Sequence, residues 1–366
     1  MNIFPFTPYI TNELSVKLLC MVIQTCCILL SVALFISCSD EKILPEQQYT
    51  LEKVKKRGVL LCGVHKTKLQ GFAYKDSSNY WSGMDIDICR AVAAAVLGDA
   101  NKVKYIPIPD YGRFHALQLG KVDILSRNLT WTLSRDTLFN IDFTAVTYYD
   151  GQGFMVPKKS NIKQLIDLTD KTICVTAHSS TQINMEAYFR TNKINHHPLV
   201  LPDAQQVVDA YNNGKCDAYT SDRAMLAIRR TTLTAPDQHI ILPQIISKEP
   251  ISPAVIQGDS QWRDIVKWSI FAMLNAEEHS ITSVNVENAK NKLPHNPAVM
   301  RLLGYTDNIG TTLGLQQDWA YNIIKQVGNY GEIYQRNLGT SSKLDIPRGL
   351  NKLWTQGGLM YAPPML

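Results

Sequence analysis

Hydrophobic and polar positions in the first half of the chain alternate between the patterns of short strands and of amphipathic helices. Apolar runs that end at glycine or polar residues predict strands at 58–64, 103–107 and 122–126, and a short helix is predicted at 113–119. Between the first two strands, apolar residues recur at helical spacing, at Met84, Ile88, Ala91, Val92, Ala95 and Val96. Strands that alternate with helices favour parallel pairing through right-handed crossovers, which predicts an α/β block.

The same pattern begins again after residue 170. Strands are predicted at 172–176, 197–201, 216–221 and 240–245, with helices at 183–191, 204–212 and 222–230. The turn sequences LGKVD at 119–123 and NGKCD at 213–217 match in type, because each joins a helix to a strand through Gly-Lys. The two blocks are therefore predicted to share one architecture.

Two segments connect these blocks, one at 148–157 that leaves the first block and one at 243–257 that returns to it. The helix predicted at 262–276 can then pack on the first block again. Two lobes joined by two crossing strands form a hinge, and ligands bind between such lobes. The predicted fold class is α/β with two lobes, each a parallel-type sheet flanked by helices. The predicted organisation is lobe 1 at 51–150, lobe 2 at 151–247, a return to lobe 1 at 248–293, and a C-terminal extension at 294–366 that packs on lobe 1 and the hinge.

The N-terminal segment 18–37 is apolar and almost uncharged, which is typical of a signal peptide or an N-terminal anchor. It ends in Phe35-Ile36-Ser37-Cys38, which is similar to a bacterial lipobox with Cys38 as the lipidated residue. Ordinary cleavage and an uncleaved anchor are the alternatives, and all three export the rest of the chain. Residues 1–38 are thus predicted to be the signal, and residues 39–50 a polar tether.

Composition narrows the class of protein. Of 366 residues, 45% are hydrophobic and 19% are charged, which supports a folded core and excludes wholesale disorder. The net charge of +5 is a mild excess for this length, and it does not indicate a nucleic-acid partner. We expect no cofactor.

Four cysteines lie beyond the signal region: Cys62, Cys89, Cys174 and Cys216. An even number in an oxidising compartment suggests two disulfides, for which four cysteines allow three connectivities. None of the four belongs to a C-x-x-C pair, and their spacing fits no zinc site. Buried free thiols are the alternative.

Polar residues crowd the run SRNLTWTLSRD at 126–136, which follows the third predicted strand. Polar residues at the carboxyl end of a parallel strand lie where the cleft of the sheet opens. Arg135 can bind a carboxylate with two N–H donors. The alternative is that Arg135 pairs with Asp136 or water as an ordinary helix charge.

Two further features resemble ligand-binding groups. Ser179 and Ser180 open a predicted helix, whose free N–H groups attract anions, although serine also caps helices generally. Asp222 closes a strand and can accept an ammonium group or cap the next helix. Together, Arg135, the helix N-terminus and Asp222 match the carboxylate and ammonium of an α-amino acid.

Four segments carry a resemblance to a known family: LGKVD at 119–123, SRN with TWT at 126–132, FT with YYDGQGFMV at 143–156, and DWAYNIIKQVGNYGE at 318–332. The chain resembles, from about residue 51 to 364, the general L-amino-acid-binding proteins of ABC importers, in the polar amino-acid branch of the periplasmic solute-binding proteins. The resemblance implies a two-lobed Venus-flytrap fold with two crossing hinge strands. It also implies a periplasmic location, with a tether if Cys38 is lipidated, and partnership with an inner-membrane ABC permease. We expect a monomer.

The resemblance also implies roles for single residues. Arg135 matches the arginine that clamps the α-carboxylate, and Asp222 matches the carboxylate that receives the α-ammonium. The remaining matches are the polar lobe-1 contacts Asn128 and Thr130, the second-lobe helix N-terminus at Ser179 and Ser180, and Phe72 in the first ligand loop. With one sheet in each lobe, the cysteines are expected to pair as Cys62–Cys89 and Cys174–Cys216.

Two departures from the family pattern bear on the ligand. His178 stands where the family usually has glycine, and the loop at 65–70 is basic through Lys66 and Lys68. Either could place positive charge near the ligand side chain and favour polar or acidic amino acids. The alternatives are a structural histidine and lysines that point to water.

Other functions are less well supported by the sequence. A dehydratase-like enzyme on the same scaffold needs a general acid or base, for which His178 is the candidate. A sensor domain needs an apolar segment after the lobes, and a transporter ATPase needs a phosphate-binding G-x-x-x-x-G-K-[ST] loop, and the sequence contains neither. The leading hypothesis is therefore a binding protein that is not an enzyme.

Overall fold

The structure is a computed structural model that describes residues 49–66, 69–289 and 296–366, together with Met21. Apart from Met21, the predicted signal with Cys38 and all but the last two residues of the tether lie outside the described residues, as do Lys68 and the first two residues of the predicted extension. Residues 49–366 belong to one compact unit. In the described part of the chain, no helix is long and apolar enough to cross a membrane.

The first lobe is built on a five-stranded sheet in the order β4-β1-β5-β14-β6. Its strands are β1 (Leu60–His65), β4 (Val103–Ile108), β5 (Ile124–Leu125), β6 (Ile141–Phe143) and β14 (Ala254–Ile256), and a small hairpin adds β2 (Tyr74–Lys75) and β3 (Trp81–Ser82). β1 runs parallel to β4 and β5, whereas β14 is antiparallel to β5 and β6. The chain therefore returns to the first sheet late in the sequence, as the segment 243–257 predicted.

Helices cover the first sheet: α1 (Thr50–Arg57), α2 (Met84–Leu97), α3 (Arg113–Gln118), α4 (Leu133–Leu138) and, after the chain returns, α8 (Ser260–Glu278). α2 is the helix predicted from the apolar spacing, and it is buried along most of its length. Trp262 in α8 is fully buried, and its indole Nε1 donates a hydrogen bond to the Asp123 carbonyl at 2.9 Å. This bond ties the returning helix to the turn that leads into β5.

The second lobe has its own sheet in the order β10-β9-β11-β8-β12. The strands are β8 (Gln152–Pro157), β9 (Lys171–Thr176), β10 (His196–Leu201), β11 (Ala218–Asp222) and β12 (His239–Ile241), and the helices are α5 (Ser180–Thr191), α6 (Ala204–Asn212) and α7 (Arg223–Arg230). β9 is parallel to β10 and β11, while β8 is antiparallel to β11 and β12. Each sheet therefore has three parallel strands on one side and antiparallel strands on the other side, where the connecting segments join it.

Two crossing strands connect the lobes. β7 (Tyr148–Asp150) and β13 (Glu249–Ile251) pair antiparallel, with Tyr149 opposite Pro250. The backbone N–H of Thr147 also donates to the Ile251 carbonyl at 2.8 Å. The hinge is thus a two-stranded ribbon, which matches the two connections that the sequence predicts.

Both predicted cysteine pairs are disulfides in the structure. Cys62 in β1 is bonded to Cys89 in α2, and Cys174 in β9 is bonded to Cys216, two residues before β11. The Cα–Cα distances of 6.3 and 5.7 Å lie in the usual range for a disulfide. Because each bond stays within one lobe, neither restrains the hinge.

The C-terminal part of the chain adds α9 (Pro297–Leu302), α10 (Trp319–Gln326) and α11 (Tyr330–Asn337) to the first lobe. Trp319, Ile323 and Tyr330 are buried in the same hydrophobic core as the residues of α2 and α8. The hydroxyl of Tyr330 donates to the backbone carbonyl of Thr147, just before β7, at 2.8 Å. This part of the chain therefore contacts both the first lobe and the hinge.

Candidate functional site

A cavity of about 160 Å³ lies between the lobes. Of the residues singled out from the sequence, Asn128, Thr130 and Arg135 line it from the first lobe, and Ser179, Ser180 and Asp222 line it from the second. Each of these residues lies at the end of β5, β9 or β11 or in the segment that follows one of these strands. The carboxyl ends of parallel strands are where such clefts open. Six of the seven predicted ligand-contacting residues therefore meet in one place.

Arg135 is held by the residues just before its helix. Thr132 caps α4 and accepts a hydrogen bond from the Arg135 backbone N–H at 3.3 Å. The guanidinium Nη1 donates to the Thr130 carbonyl at 2.7 Å, which orients the side chain and leaves further N–H donors for a ligand. Burial lowers the pKa of Arg135, and the charges of Glu249 and Asp222 act against that shift. Arg135 is therefore a half-buried guanidinium that lines the cavity in a fixed orientation.

Asp222 ends β11 and is only 8% exposed. Asp222 occupies the N-cap position of α7, but its side chain forms no capping hydrogen bond with that helix. Burial raises the pKa of Asp222 well above its usual range, and the charges of Asp150 and Glu249 raise it further. The charge of Arg135 and a hydrogen bond from Asn128 act in the opposite direction. A cation brought into the cavity would favour the ionised carboxylate.

Ser179 and Ser180 occupy the start of α5. Ser179 is the helix cap: its Oγ accepts from the backbone N–H of Gln182 at 3.2 Å and donates to the Thr176 carbonyl at 2.7 Å. Ser180 is the first residue of the helix, and its Oγ donates to Glu249 in the hinge at 3.4 Å. The first N–H groups of a helix have no intrahelical acceptor, so this end of α5 can bind an anion in the cavity.

Asn128 and Thr130 form the first-lobe side of the same space. Asn128 has a left-handed backbone, with φ of 55°, and its Oδ1 is buried without a hydrogen-bond partner. An unsatisfied acceptor beside Asp222 is suited to an ammonium group. Thr130 is 5% exposed, forms an isolated β-bridge with Ile251 of the hinge, and contributes the carbonyl that orients Arg135.

Phe72 does not line the cavity. It is 1% exposed, and its ring packs edge-on against Tyr148 with 5.6 Å between the ring centroids. His65, the last residue of β1, and Leu69, in the loop before Phe72, line the cavity instead. The physical reason is that the large apolar ring is buried in the lobe-1 core, which leaves smaller and more polar loop residues at the surface of the cleft.

The two departures from the family pattern lie in different environments. His178 lines the cavity although it is exposed, and its backbone has a φ of 55°, in the region that glycine adopts most readily. Lys66 is exposed to solvent, which agrees with the alternative for this one of the two loop lysines. Lys66 thus adds no positive charge to the lining of the described cavity, and Lys68 lies outside the described residues.

Four charged residues of the cavity were not selected from the sequence: Asp110, Arg113 and Arg127 in the first lobe, and Arg229 in α7 of the second. The Nη2 of Arg127 donates to Asp110 Oδ1 at 2.8 Å, and Arg113 Nη1 lies 3.5 Å from the same oxygen. Arg127 stands in the polar run at 126–136, and Arg113 begins the helix that follows β4. The position of each at the carboxyl end of a strand was a signal that could have identified them.

Comparisons with known proteins give a consistent result. Residues 60–340 match the family described as bacterial extracellular solute-binding proteins, family 3. The chain is 53% identical over 318 residues to the general L-amino acid-binding periplasmic protein AapJ of Rhizobium johnstonii, across 86% of this chain and 92% of that protein. It is 46% identical over 315 residues to the glutamate/glutamine/aspartate/asparagine-binding protein BztA of Rhodobacter capsulatus, across 86% of this chain and 93% of that one.

A solved structure extends the similarity to three dimensions. An ABC transporter periplasmic binding protein from Brucella ovis, with glutathione bound, has a TM-score of 0.83 and 50% identity, and the match covers 86% of this chain and 99% of that one. The resemblance inferred from the sequence motifs is confirmed by these relatives, as is the two-lobed fold. The chain belongs to family 3 of the bacterial extracellular solute-binding proteins.

Proposed function

We propose that this protein captures an L-amino acid between its lobes, as the extracytoplasmic binding component of an ABC importer, and delivers it to a membrane permease. The observation that carries the proposal is the placement of Arg135 and Asp222 in one cavity, on opposite lobes. Arg135 and the N-terminus of α5 receive the α-carboxylate, while Asp222 and the Oδ1 of Asn128 receive the α-ammonium. Because the ligand contacts both lobes in the closed state, binding shifts the population toward closure.

The relatives support this function and a polar ligand. The Rhizobium protein is described as a general L-amino acid-binding protein, and the Rhodobacter protein as one that binds glutamate, glutamine, aspartate and asparagine. The Brucella protein holds glutathione, a peptide that contains a glutamyl residue with free α-groups. We propose that this chain also binds polar or acidic L-amino acids.

The chain is a binding protein and not an enzyme, as its relatives are binding proteins of transport systems. The dehydratase-like alternative relied on His178 as the acid or base. His178 is exposed just before the N-terminus of α5, and its backbone N–H donates a hydrogen bond to Gln182 Oε1 at 3.0 Å. This alternative is not favoured.

Calorimetric titration tests the proposal directly. A thermal-shift screen against the twenty L-amino acids first identifies ligands, and titrations then compare the wild type with Arg135→Ala and Asp222→Asn. Each substitution removes one of the two charged anchors, so we expect each to weaken binding about 100-fold or more. Matched controls are Arg190→Ala and Asp237→Asn, because both residues are exposed and lie outside the cavity. Wild-type affinity in both cavity variants would refute the proposed site.

Three expectations concern the form of the protein in the cell. We propose that it is periplasmic and monomeric, and that Cys38 carries a lipid tether. The relatives support the periplasmic location, since the Rhizobium protein is a periplasmic protein. Intact mass spectrometry of the exported protein distinguishes lipidation at Cys38 from simple cleavage or retention of the N-terminal segment, and light scattering measures its oligomeric state.

A further inference from the structure

One side of the interlobe cavity carries a cluster of charged residues that the α-carboxylate and α-ammonium do not use. This cluster consists of Asp110, Arg113 and Arg127, and His65 lies beside it, with its Nε2 3.7 Å from Asp110 Oδ1. His65 ends β1, Asp110 and Arg113 follow β4, and Arg127 follows β5, so all of these groups lie at the carboxyl ends of first-lobe strands or in the segments after them. A bound amino acid whose α-groups sit at Arg135 and Asp222 would extend its side chain into the remaining space, and this cluster forms one of its walls.

The cavity has an excess of positive charge. Among the described lining residues there are four arginines, Arg113, Arg127, Arg135 and Arg229, and two aspartates, Asp110 and Asp222. Glu249 and Asp150 lie behind this layer, where Glu249 acts on Arg135 and both act on Asp222, so the positive excess belongs to the lining residues alone. Because an amino-acid zwitterion has no net charge, a neutral ligand would add no negative charge next to the lining arginines.

Both guanidinium groups of the cluster also have unused donors. The Nε atoms of Arg113 and Arg127 are buried without a hydrogen-bond partner, and the Arg127 side chain is only 2% exposed. Asp110, which is 54% exposed, is the single carboxylate that both arginines contact in the described structure. Burial and the nearby charges of Arg127 and Arg135 lower the pKa of Arg113 to about 10. The cluster is therefore short of anionic partners.

We infer that Arg113 and Arg127 form a subsite for a second carboxylate of the ligand. This inference rests on the proposed function and deepens it, because it orders the ligands: one that carries a carboxylate beyond its α-group binds more tightly than its amide analogue. The second carboxylate can belong to the side chain of a dicarboxylic amino acid or to the far end of a small peptide. A carboxylate accepts from an arginine fork at two oxygens, whereas an amide presents one acceptor and two donors to groups that themselves donate.

Calorimetric titrations with L-glutamate, L-glutamine and glutathione test the subsite in the wild type and in Arg113→Gln. We expect the wild type to bind glutamate, glutathione or both more tightly than glutamine. Arg113→Gln reduces this preference about tenfold or more and leaves the affinity for glutamine within about threefold. If Arg113→Gln loses affinity only for glutamate, the subsite binds amino-acid side chains. If it loses affinity only for glutathione, the subsite binds the far end of a peptide. Equal weakening for all three ligands overturns the inference, as does wild-type preference for glutamine over both carboxylate ligands.

Two further variants keep the test decisive. Arg113→Lys retains the charge but loses the planar fork, so it is expected to keep part of the preference, with thermal unfolding used to verify the fold of each variant. Arg190→Gln, an exposed arginine of α5 outside the cavity, is expected to keep the full preference. If the wild type binds no amino acid or glutathione at all, the proposed function itself fails. If it binds them and Arg113→Gln keeps the wild-type preference, only the subsite is refuted.

Discussion

The side-chain amide of Asn351 binds both hydrogen-bonding groups of the Tyr149 backbone. Its Oδ1 accepts from the Tyr149 N–H at 2.6 Å, and its Nδ2 donates to the Tyr149 carbonyl at 3.0 Å. Tyr149 is the middle residue of β7, and Pro250 of β13 lies opposite it in the hinge ribbon. Asn351, which is 3% exposed, therefore takes the place of a strand on the other edge of β7. The C-terminal extension fixes one of the two strands about which the lobes move.

Replacing Asn351 with alanine is expected to destabilise the protein by about 1–3 kcal/mol, because the backbone N–H and carbonyl of Tyr149 lose their partners in a buried position. Urea unfolding measures this loss. The hinge strand is also less restrained, so small-angle scattering without ligand is expected to show a broader distribution of lobe separations. Leu350→Ala, at an exposed neighbouring position, is the control. Unchanged stability and lobe separation in Asn351→Ala would show that the extension does not brace the hinge.

The sequence could predict the α/β lobes and most of the cavity for a physical reason. The carboxyl ends of parallel strands converge at one edge of a sheet, so polar residues such as Arg135, Ser180 and Asp222 can be placed together from strand patterns alone. The bond between Asn351 and Tyr149 joins residues 202 positions apart through a side chain, and no local pattern signals it. Phe72 was misplaced because hydrophobic burial in the core outweighed its position in a ligand loop.

Buried carboxyl groups make the ligand-free protein more stable at mildly acidic pH. Burial raises the pKa of Asp85 and of Asp150 to about 7 and raises the pKa of Asp222 well above its usual range. Between about pH 4, near the value of an unfolded aspartate, and pH 7, the folded state binds more protons than the unfolded state. The free energy of unfolding therefore falls as pH rises, by at most about 1.4 kcal/mol per pH unit for each such group.

Urea unfolding at pH 5, 6, 7 and 8 measures this slope. Asp85→Asn is the informative variant: Asp85 is 4% exposed and accepts from Ser126 at 3.2 Å, and asparagine cannot ionise. We expect the variant to show a shallower slope over pH 5–7 than the wild type. Stability that rises with pH over this range, or a slope that Asp85→Asn leaves unchanged, would contradict the assignment of buried protons.

Ligand binding is expected to release a proton near neutral pH. The α-ammonium of the ligand favours the ionised form of Asp222, which burial otherwise disfavours. Affinity should therefore increase as pH rises from 5 toward 7. Titrations in phosphate and in Tris at pH 6.5 reveal the transfer, because the measured heat differs with the ionisation heat of the buffer. The same heat in both buffers would show that no proton is released on binding, which contradicts the prediction.

The disulfide of the second lobe is expected to contribute several kilocalories per mole to stability. The Cys174–Cys216 bond closes a loop with a sequence separation of 42, for which the loop-closure model gives about 4 kcal/mol. Substituting both cysteines with alanine should lower the free energy of unfolding by an amount near this value. The variant with both Cys62 and Cys89 replaced by alanine is the comparison. Their sequence separation is 27, so the loop-closure model gives this disulfide about 0.4 kcal/mol less stabilisation. An equal free energy of unfolding for the oxidised wild type and the variant without Cys174 and Cys216 would contradict the prediction.

His178 adopts a backbone conformation that a side chain makes costly. Its φ of 55° lies in the left-handed region, where a residue with a Cβ is about 1 kcal/mol less stable than glycine. His178→Gly should therefore be more stable than His178→Ala by about 1 kcal/mol in urea unfolding, since both variants remove the ring and only glycine removes the strain. Calorimetric titration of the same pair separates the remaining alternatives for the ring. If the exposed imidazole is structural, both variants bind the ligand within about threefold of the wild type, whereas an equal and larger loss in both would assign His178 to the ligand.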